Sequence, residues 1–129
     1  MQPILNHIAI PVRFPDDQHG FYTGILGFTE KYRFAVEAVV ALKIFGIDAD
    51  LHVTLMERDG LKLELFHSTD EFNPGVAHIC LNMPDLNDVC RLAGESGYTV
   101  VLLERPSGKL AFITDSTGNR FEIKEVQEM

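Results

Sequence analysis

Four residues of this chain have the chemistry to hold one divalent metal ion between them: His7, Glu64, His78 and Glu122. Two imidazoles and two carboxylates make a hard-to-borderline donor set that suits Ni, Co, Zn, Mn or Fe and leaves positions for water or substrate. Their spacing carries the reading, because the types alone are weak. A lone strand histidine is more often structural than a ligand. A glutamate flanked by apolar residues in a strand is accounted for by simple alternation, with the carboxylate facing water. What lifts the four above that background is repetition. Asn6-His7-Ile8-Ala9-Ile10 is echoed by Ala77-His78-Ile79-Cys80-Leu81, and Leu63-Glu64-Leu65 by Phe121-Glu122-Ile123. His7 and His78 are 71 positions apart, and the Gly-aromatic pairs Gly27-Phe28 and Gly97-Tyr98 are 70 apart. The period is too long for a solenoid and suits two copies of one supersecondary unit facing each other.

The elements that must position these residues follow the same repeat. In the first half, Ile4 to Val12 reads as a strand. Phe21, Tyr22, Ile25 and Leu26 recur at helical spacing behind Asp16-Asp17, which place negative charge at the helix start. Phe28 to Phe34 reads as a second strand and Leu51 to Glu57 as a third. Asp59-Gly60 signals a two-residue hairpin into Leu61 to Phe66. Residues 35–45, AVEAVVALKIF, are apolar almost throughout and fit helix or strand. They fall where the first half is longer: Gly27 to Glu64 spans 37 positions and Gly97 to Glu122 spans 25. In the second half, Val76 to Asn82 is a strand, and Asp85 is placed to cap a helix whose apolar face is Leu86, Val89, Cys90 and Ala93. Tyr98 to Glu104, Leu110 to Thr114 and Arg120 to Val126 are the remaining strands. Each half is then β-α-β-β-β, giving an α+β fold with curved mixed sheet.

Bulk properties set the frame. The 129 residues are one domain's worth of chain, divided into module 1 (about 1–70) and module 2 (about 74–129) by a polar, turn-rich linker. A net charge of −8 excludes a nucleic-acid or anionic-membrane surface. No apolar run is long enough to span a bilayer, and the start of the chain shows no secretory signal pattern, so the expectation is a cytoplasmic protein. Cys80 and Cys90 form neither a CxxC motif nor a disulfide framework and read as buried thiols.

With these residues in place, the chain resembles the vicinal oxygen chelate superfamily, which includes glyoxalase I, bleomycin- and fosfomycin-resistance proteins and extradiol dioxygenases. The resemblance rests on N-H-I-A-I-P-V at 6–12, F-Y-T-G-I-L-G-F at 21–28, L-K-L-E-L-F at 61–66, H-I-C-L-N-M-P-D at 78–85 and D-S-T-G-N-R-F-E-I at 115–123. It implies two βαβββ modules in an incomplete barrel around a metal, a homodimer, and a small-molecule substrate chelated through neighbouring oxygens. The family's ligand positions fall on His7, Glu64, His78 and Glu122. That His/Glu/His/Glu set resembles bacterial glyoxalase I (lactoylglutathione lyase). The dioxygenases and fosfomycin enzymes are similar but have no ligand at the position of Glu64, and a related epimerase has Gln there. The resemblance implies a metal-dependent lyase or isomerase in which Glu122, or Glu64 for the other face, moves the proton beside a chelated carbonyl. The alternatives are an Fe(II) extradiol-type dioxygenase and a non-catalytic ligand-binding or resistance protein. Glutathione-using members carry Arg and Asn where this chain has Pro11 and Ser68, and Arg13 is a candidate substitute for the first. His67, Arg105 and Lys109 are further candidates for touching substrate, His19 and His52 weaker ones.

Overall fold

The structure, a computed structural model, describes residues 2–125. Eight strands form two open four-stranded sheets. The first holds β1 (Ile8–Val12), β2 (Thr29–Val36), β3 (Leu51–Arg58) and β4 (Leu61–His67) in the order β1-β4-β3-β2. The second repeats it with β5 (Ile79–Met83), β6 (Thr99–Arg105), β7 (Gly108–Thr114) and β8 (Arg120–Glu125) in the order β5-β8-β7-β6. In each sheet the first strand runs parallel to the last and the other pairings are antiparallel. The mixed α+β sheets match the expectation. The expected end of the last strand at Val126 lies outside the described residues.

Alternation along the strands decides which face does what. Ile10 and Val12 of β1, Leu63 and Leu65 of β4, and Phe121 and Ile123 of β8 are buried, while the residues between them point to the opposite side. One core cluster draws these residues together with Phe21, Tyr22, Ile25 and Leu26 and with Leu86, Val89 and Ala93 of α2 (Leu86–Glu95). The first helical segment, Gln18–Thr23, is a π-helix, with the Gly24 amide donating to the His19 carbonyl at 2.8 Å. A Cβ on Gly24 would stand 2.7 Å from the Gly20 carbonyl oxygen, so the widened turn needs glycine there. The segment buries two consecutive aromatic residues, Phe21 and Tyr22, and Phe21 meets Tyr98 and Phe121 of the second module edge-on or tilted.

A buried polar network completes that contact. Asp17 accepts hydrogen bonds from the Ser116 amide (2.6 Å), the Ser116 hydroxyl (2.8 Å) and the Tyr98 hydroxyl (3.1 Å). Asp115 accepts from the amides of Thr117, Gly118 and Asn119 and closes the 115–119 turn. Asp17 is therefore more than a charge at a helix start. It carries the first module's helix onto the second module's turn.

The two modules keep the expected βαβββ order. In the first, β2 runs on to Val36, and residues 38–45, within the stretch that fits helix or strand by sequence, form an added helix, α1 (Ala38–Phe45), ended by Gly46 in the left-handed conformation (φ 71°). Two expectations are corrected. Asp85 occupies the cap position of α2 but makes no side-chain capping bond. Finally, the cysteines are not both buried. Cys80 pairs in register with Glu122 and shares its exposed face, and Cys90 is half-buried.

Candidate metal centre

β1 and β4 run parallel with Ala9 opposite Glu64, and His7 immediately precedes β1. Because Leu63 and Leu65 are committed to the core, Glu64 must face outward, and His7 reaches it on the same side. His7 Nε2 stands 3.2 Å from Glu64 Oε1. The second sheet repeats the arrangement: Cys80 lies opposite Glu122, and His78 Nε2 stands 3.1 Å from Glu122 Oε1. The environments agree as well as the distances. The imidazoles are 39% and 38% exposed and the carboxylates 15% and 14%, so each pair is held by its sheet yet open to an incoming group.

The second ring nitrogen of each histidine is also engaged. His7 Nδ1 lies 2.8 Å from Asn6 Oδ1, and His78 Nδ1 lies 2.9 Å from the Val76 carbonyl oxygen. Both contacts are to oxygen acceptors, which favours the Nδ1–H tautomer in each ring. A neutral imidazole then presents the Nε2 lone pair directly to a carboxylate oxygen. That juxtaposition is repulsive unless a cation, a proton or a metal ion, lies between them. Two donors each about 2.1 Å from one ion stand roughly 3.0 to 3.4 Å apart, the separation of both pairs. Outer-shell acceptors that fix the tautomer are the regular companions of histidine ligands. On donor chemistry, tautomer and spacing, the residues fit a divalent metal.

The four do not, however, converge within the chain. Among the described residues, no three His, Cys, Asp or Glu side chains stand close enough together to hold a metal ion. The expectation that His7 faces His78 and Glu64 faces Glu122 across one surface of a single chain is therefore corrected. The reason is the core: both sheets turn their apolar faces to it, so the two His–Glu pairs look outward from separate sheets.

The faces around the pairs differ. Lys124 reaches within 3.9 Å of Glu122, and Phe112 stands edge-on to the His78 ring at 5.4 Å. At the corresponding side of Glu64 stands Phe66, packed edge-on against Phe45 of α1 at 5.5 Å. The weaker candidates are placed elsewhere. His67 Nε2 pairs with the Thr54 hydroxyl at 2.8 Å, opposite His52, and burial together with the Arg33 charge lowers its pKa. The Arg13 guanidinium rests over the Phe14 ring. Lys109 pairs with Glu104 at an exposed hairpin, next to Arg105, and His19 lies exposed on the π-helix. Asn6 was not singled out from the sequence. Its position next to the candidate ligand His7 is the one signal that could have found it.

A family model for the glyoxalase, bleomycin resistance protein and dioxygenase superfamily matches residues 4–123. The chain belongs to that superfamily. Solved structures agree in fold. A glyoxalase family protein from Enterococcus faecalis superposes with a TM-score of 0.70 at 20% identity, covering 95% of this chain and 97% of its own. The fosfomycin resistance protein FosX from Listeria monocytogenes superposes with a TM-score of 0.76 at 14% identity, covering 98% and 96%. A variant of that Listeria protein, in complex with Mn(II) and 1S,2S-dihydroxypropylphosphonic acid, matches at 0.72 and 17% identity over 97% and 93%. No curated protein matches the chain. No described helix is long and apolar enough to cross a membrane.

Proposed function

We propose that this protein is a metal-dependent lyase or isomerase, glyoxalase I-like, that moves a proton on the carbon beside a chelated carbonyl. The observation that carries the reading is the duplicated pair: His7–Glu64 at 3.2 Å and His78–Glu122 at 3.1 Å, each with Nδ1 tied to an acceptor. His7, Glu64, His78 and Glu122 would hold the ion, with Ni, Co, Zn, Mn and Fe all compatible with the donors. When bound, a divalent ion supplies Lewis-acid polarisation of the carbonyl and charge stabilisation for an enediolate. The chain's own part is to present two carboxylates, Glu64 and Glu122, as proton carriers on opposite sides of a chelated substrate. A four-ligand set favours this chemistry over an Fe(II) dioxygenase, which needs an open position for oxygen.

A homodimer is part of the proposal. Each outward face carries half of the donor set and is rimmed by exposed apolar side chains. On β6, Val101 (49% exposed) and Leu103 (45%) share the Glu122 face, and Val39, Leu42 and Ile44 of α1 stand exposed beside the other. Exposed apolar surface around an incomplete donor set supports closure by a second copy, with the first sheet of one copy facing the second sheet of the other. Such a dimer has two complete sites, one metal per chain. A cytoplasmic location is proposed with it, on the two unpaired thiols Cys80 and Cys90.

The test is metal content by elemental analysis after reconstitution with each of the five ions, for wild type and Glu64→Gln. About one metal per chain, weakened by Glu64→Gln, supports the site and leads to assays of methylglyoxal with several thiols. Metal retained unchanged in Glu64→Gln points to a three-ligand site and to dioxygenase or transferase chemistry. No metal in either protein overturns the enzyme reading and leaves a ligand-binding one.

A further inference from the structure

The first half's extra helix gives its outward face a feature that the second half lacks. α1 lies over the Glu64 side of the first sheet: Ala41 is fully buried, and Phe45 packs on Phe66. Between helix and sheet runs an open cleft of about 230 Å³, lined by Ala9, Pro11, Phe45, Ile47, Leu51 and Phe66 among others, with no charged side chain in its lining. The cleft adjoins the His7–Glu64 pair: Ala9 is the register partner of Glu64, and Phe66 stands two residues beyond Glu64 on the same face. The cations around the cleft do not line it: Lys43 is on α1 two residues before Phe45, the Arg13 guanidinium rests over the Phe14 ring, Lys62 is on the far side of Glu64 from Phe66, and Lys124 is engaged with Glu122.

We propose that this cleft seats an uncharged apolar arm of the substrate, an aromatic ring or short branched alkyl chain carried next to the chelating oxygens. The inference rests on the metal-site reading above. The site then selects neutral hydrophobic carbonyl compounds over peptide–thiol conjugates and phosphonates. Both of those bring anionic groups, and leaving an anion unpaired against Phe45, Phe66 and Ile47 costs more than any packing returns. The volume is below that of a pocket for a large ligand, so it suits one small group. Continuity with the donor pair favours a substrate arm over a separate ligand, because whatever chelates beside Glu64 extends along Ala9 and Pro11.

Two-oxygen chelators that differ only in their body make the test independent of turnover. Metal content of the reconstituted protein is measured first, and benzohydroxamate, acetohydroxamate and phosphonoformate are then titrated calorimetrically against it. The expected result is benzohydroxamate binding at least about tenfold more tightly than acetohydroxamate, with phosphonoformate the weakest. Phe45→Ser and Ile47→Ser alter half-exposed side chains and are expected to bring the hydroxamate ratio close to one while leaving acetohydroxamate affinity in place. Metal bound with equal hydroxamate affinities, a ratio unchanged in both variants, or a preference for phosphonoformate overturns the cleft assignment and leaves the metal site standing. Absence of metal, or metal with no hydroxamate binding, overturns the metal-site reading and the substrate class with it.

Discussion

The Tyr22 hydroxyl donates a 2.6 Å hydrogen bond to Asp115, joining the first module's π-helix to the turn before the last strand of the second. The bond ties the helix to the second module beside the shared apolar core, and it is the packing of that core that turns the His–Glu faces outward. Both partners are buried, and the neighbouring Asp115 charge adds to burial in raising the Tyr22 pKa.

Tyr22→Phe is therefore expected to destabilise the protein by about 1–3 kcal/mol, the cost of leaving a buried carboxylate oxygen short of one donor. Asp115 keeps the Asn119 side-chain amide at 2.8 Å, which holds the loss within that range. Urea denaturation of Tyr22→Phe, against Tyr32→Phe at an exposed position, measures it, and the Tyr32 variant is expected within about 0.5 kcal/mol of wild type. Equal stability of the two variants would remove the network from the account of module docking.

Alkaline pH tests the same network through Tyr98. Burial, with the Asp17 carboxylate beside it, pushes the Tyr98 pKa up to about 12. Its pKa in the unfolded chain is about 10. Below pH 10 the hydroxyl is protonated in both states and stability does not depend on it. Between about pH 10 and 12 the unfolded chain releases the proton and the folded one retains it, so stability falls as pH rises. Urea midpoints at pH 8 and pH 11 are expected to show a drop that shrinks in Tyr98→Phe. A drop of the same size in the variant would mean that other groups govern the alkaline limb.

Asn6 is expected to matter for metal although it is not among the four proposed ligands. Its side-chain oxygen fixes the His7 ring, whereas a backbone carbonyl does that work for His78. Asn6→Ala is expected to weaken metal binding by about 10- to 100-fold, and Asn6→Asp, which keeps the acceptor, to preserve it. Competition against a chromophoric chelator reads both, and equal affinity of wild type and Asn6→Ala would refute the role.

Charges placed on the outward face of β6 test the dimer. Val101→Lys with Leu103→Lys should shift the molecular mass in solution from two chains to one and, by separating the half-sites, should also abolish tight metal binding. Light scattering on a sizing column, followed by metal analysis of the peak, checks both. A monomeric variant that still holds one metal per chain would mean that the donor set is assembled in another way.

Much of this was legible in the sequence, and the reason is periodicity. Strand alternation around Leu63-Glu64-Leu65 and Phe121-Glu122-Ile123, and the near-equal spacing of His7 with His78 and Gly27 with Gly97, are properties of the chain itself. They determined the two-module α+β fold and singled out four candidate donors whatever the modules' mutual placement. The Asp59-Gly60 hairpin was equally readable, because both residues take the positive φ that such a turn requires. Other features depended on contacts between residues far apart. The apolar run at 35–45 has no period to distinguish helix from strand; in the fold its helical part buries Ala41 and sets Phe45 against Phe66 of the first sheet. Asp17 read as a helix-start charge because its partners Ser116 and Tyr98 lie in the other module. Tertiary structure alone decided that the two His–Glu pairs look away from each other: alternation says which residues share a face, and only the packing of whole sheets says what that face meets.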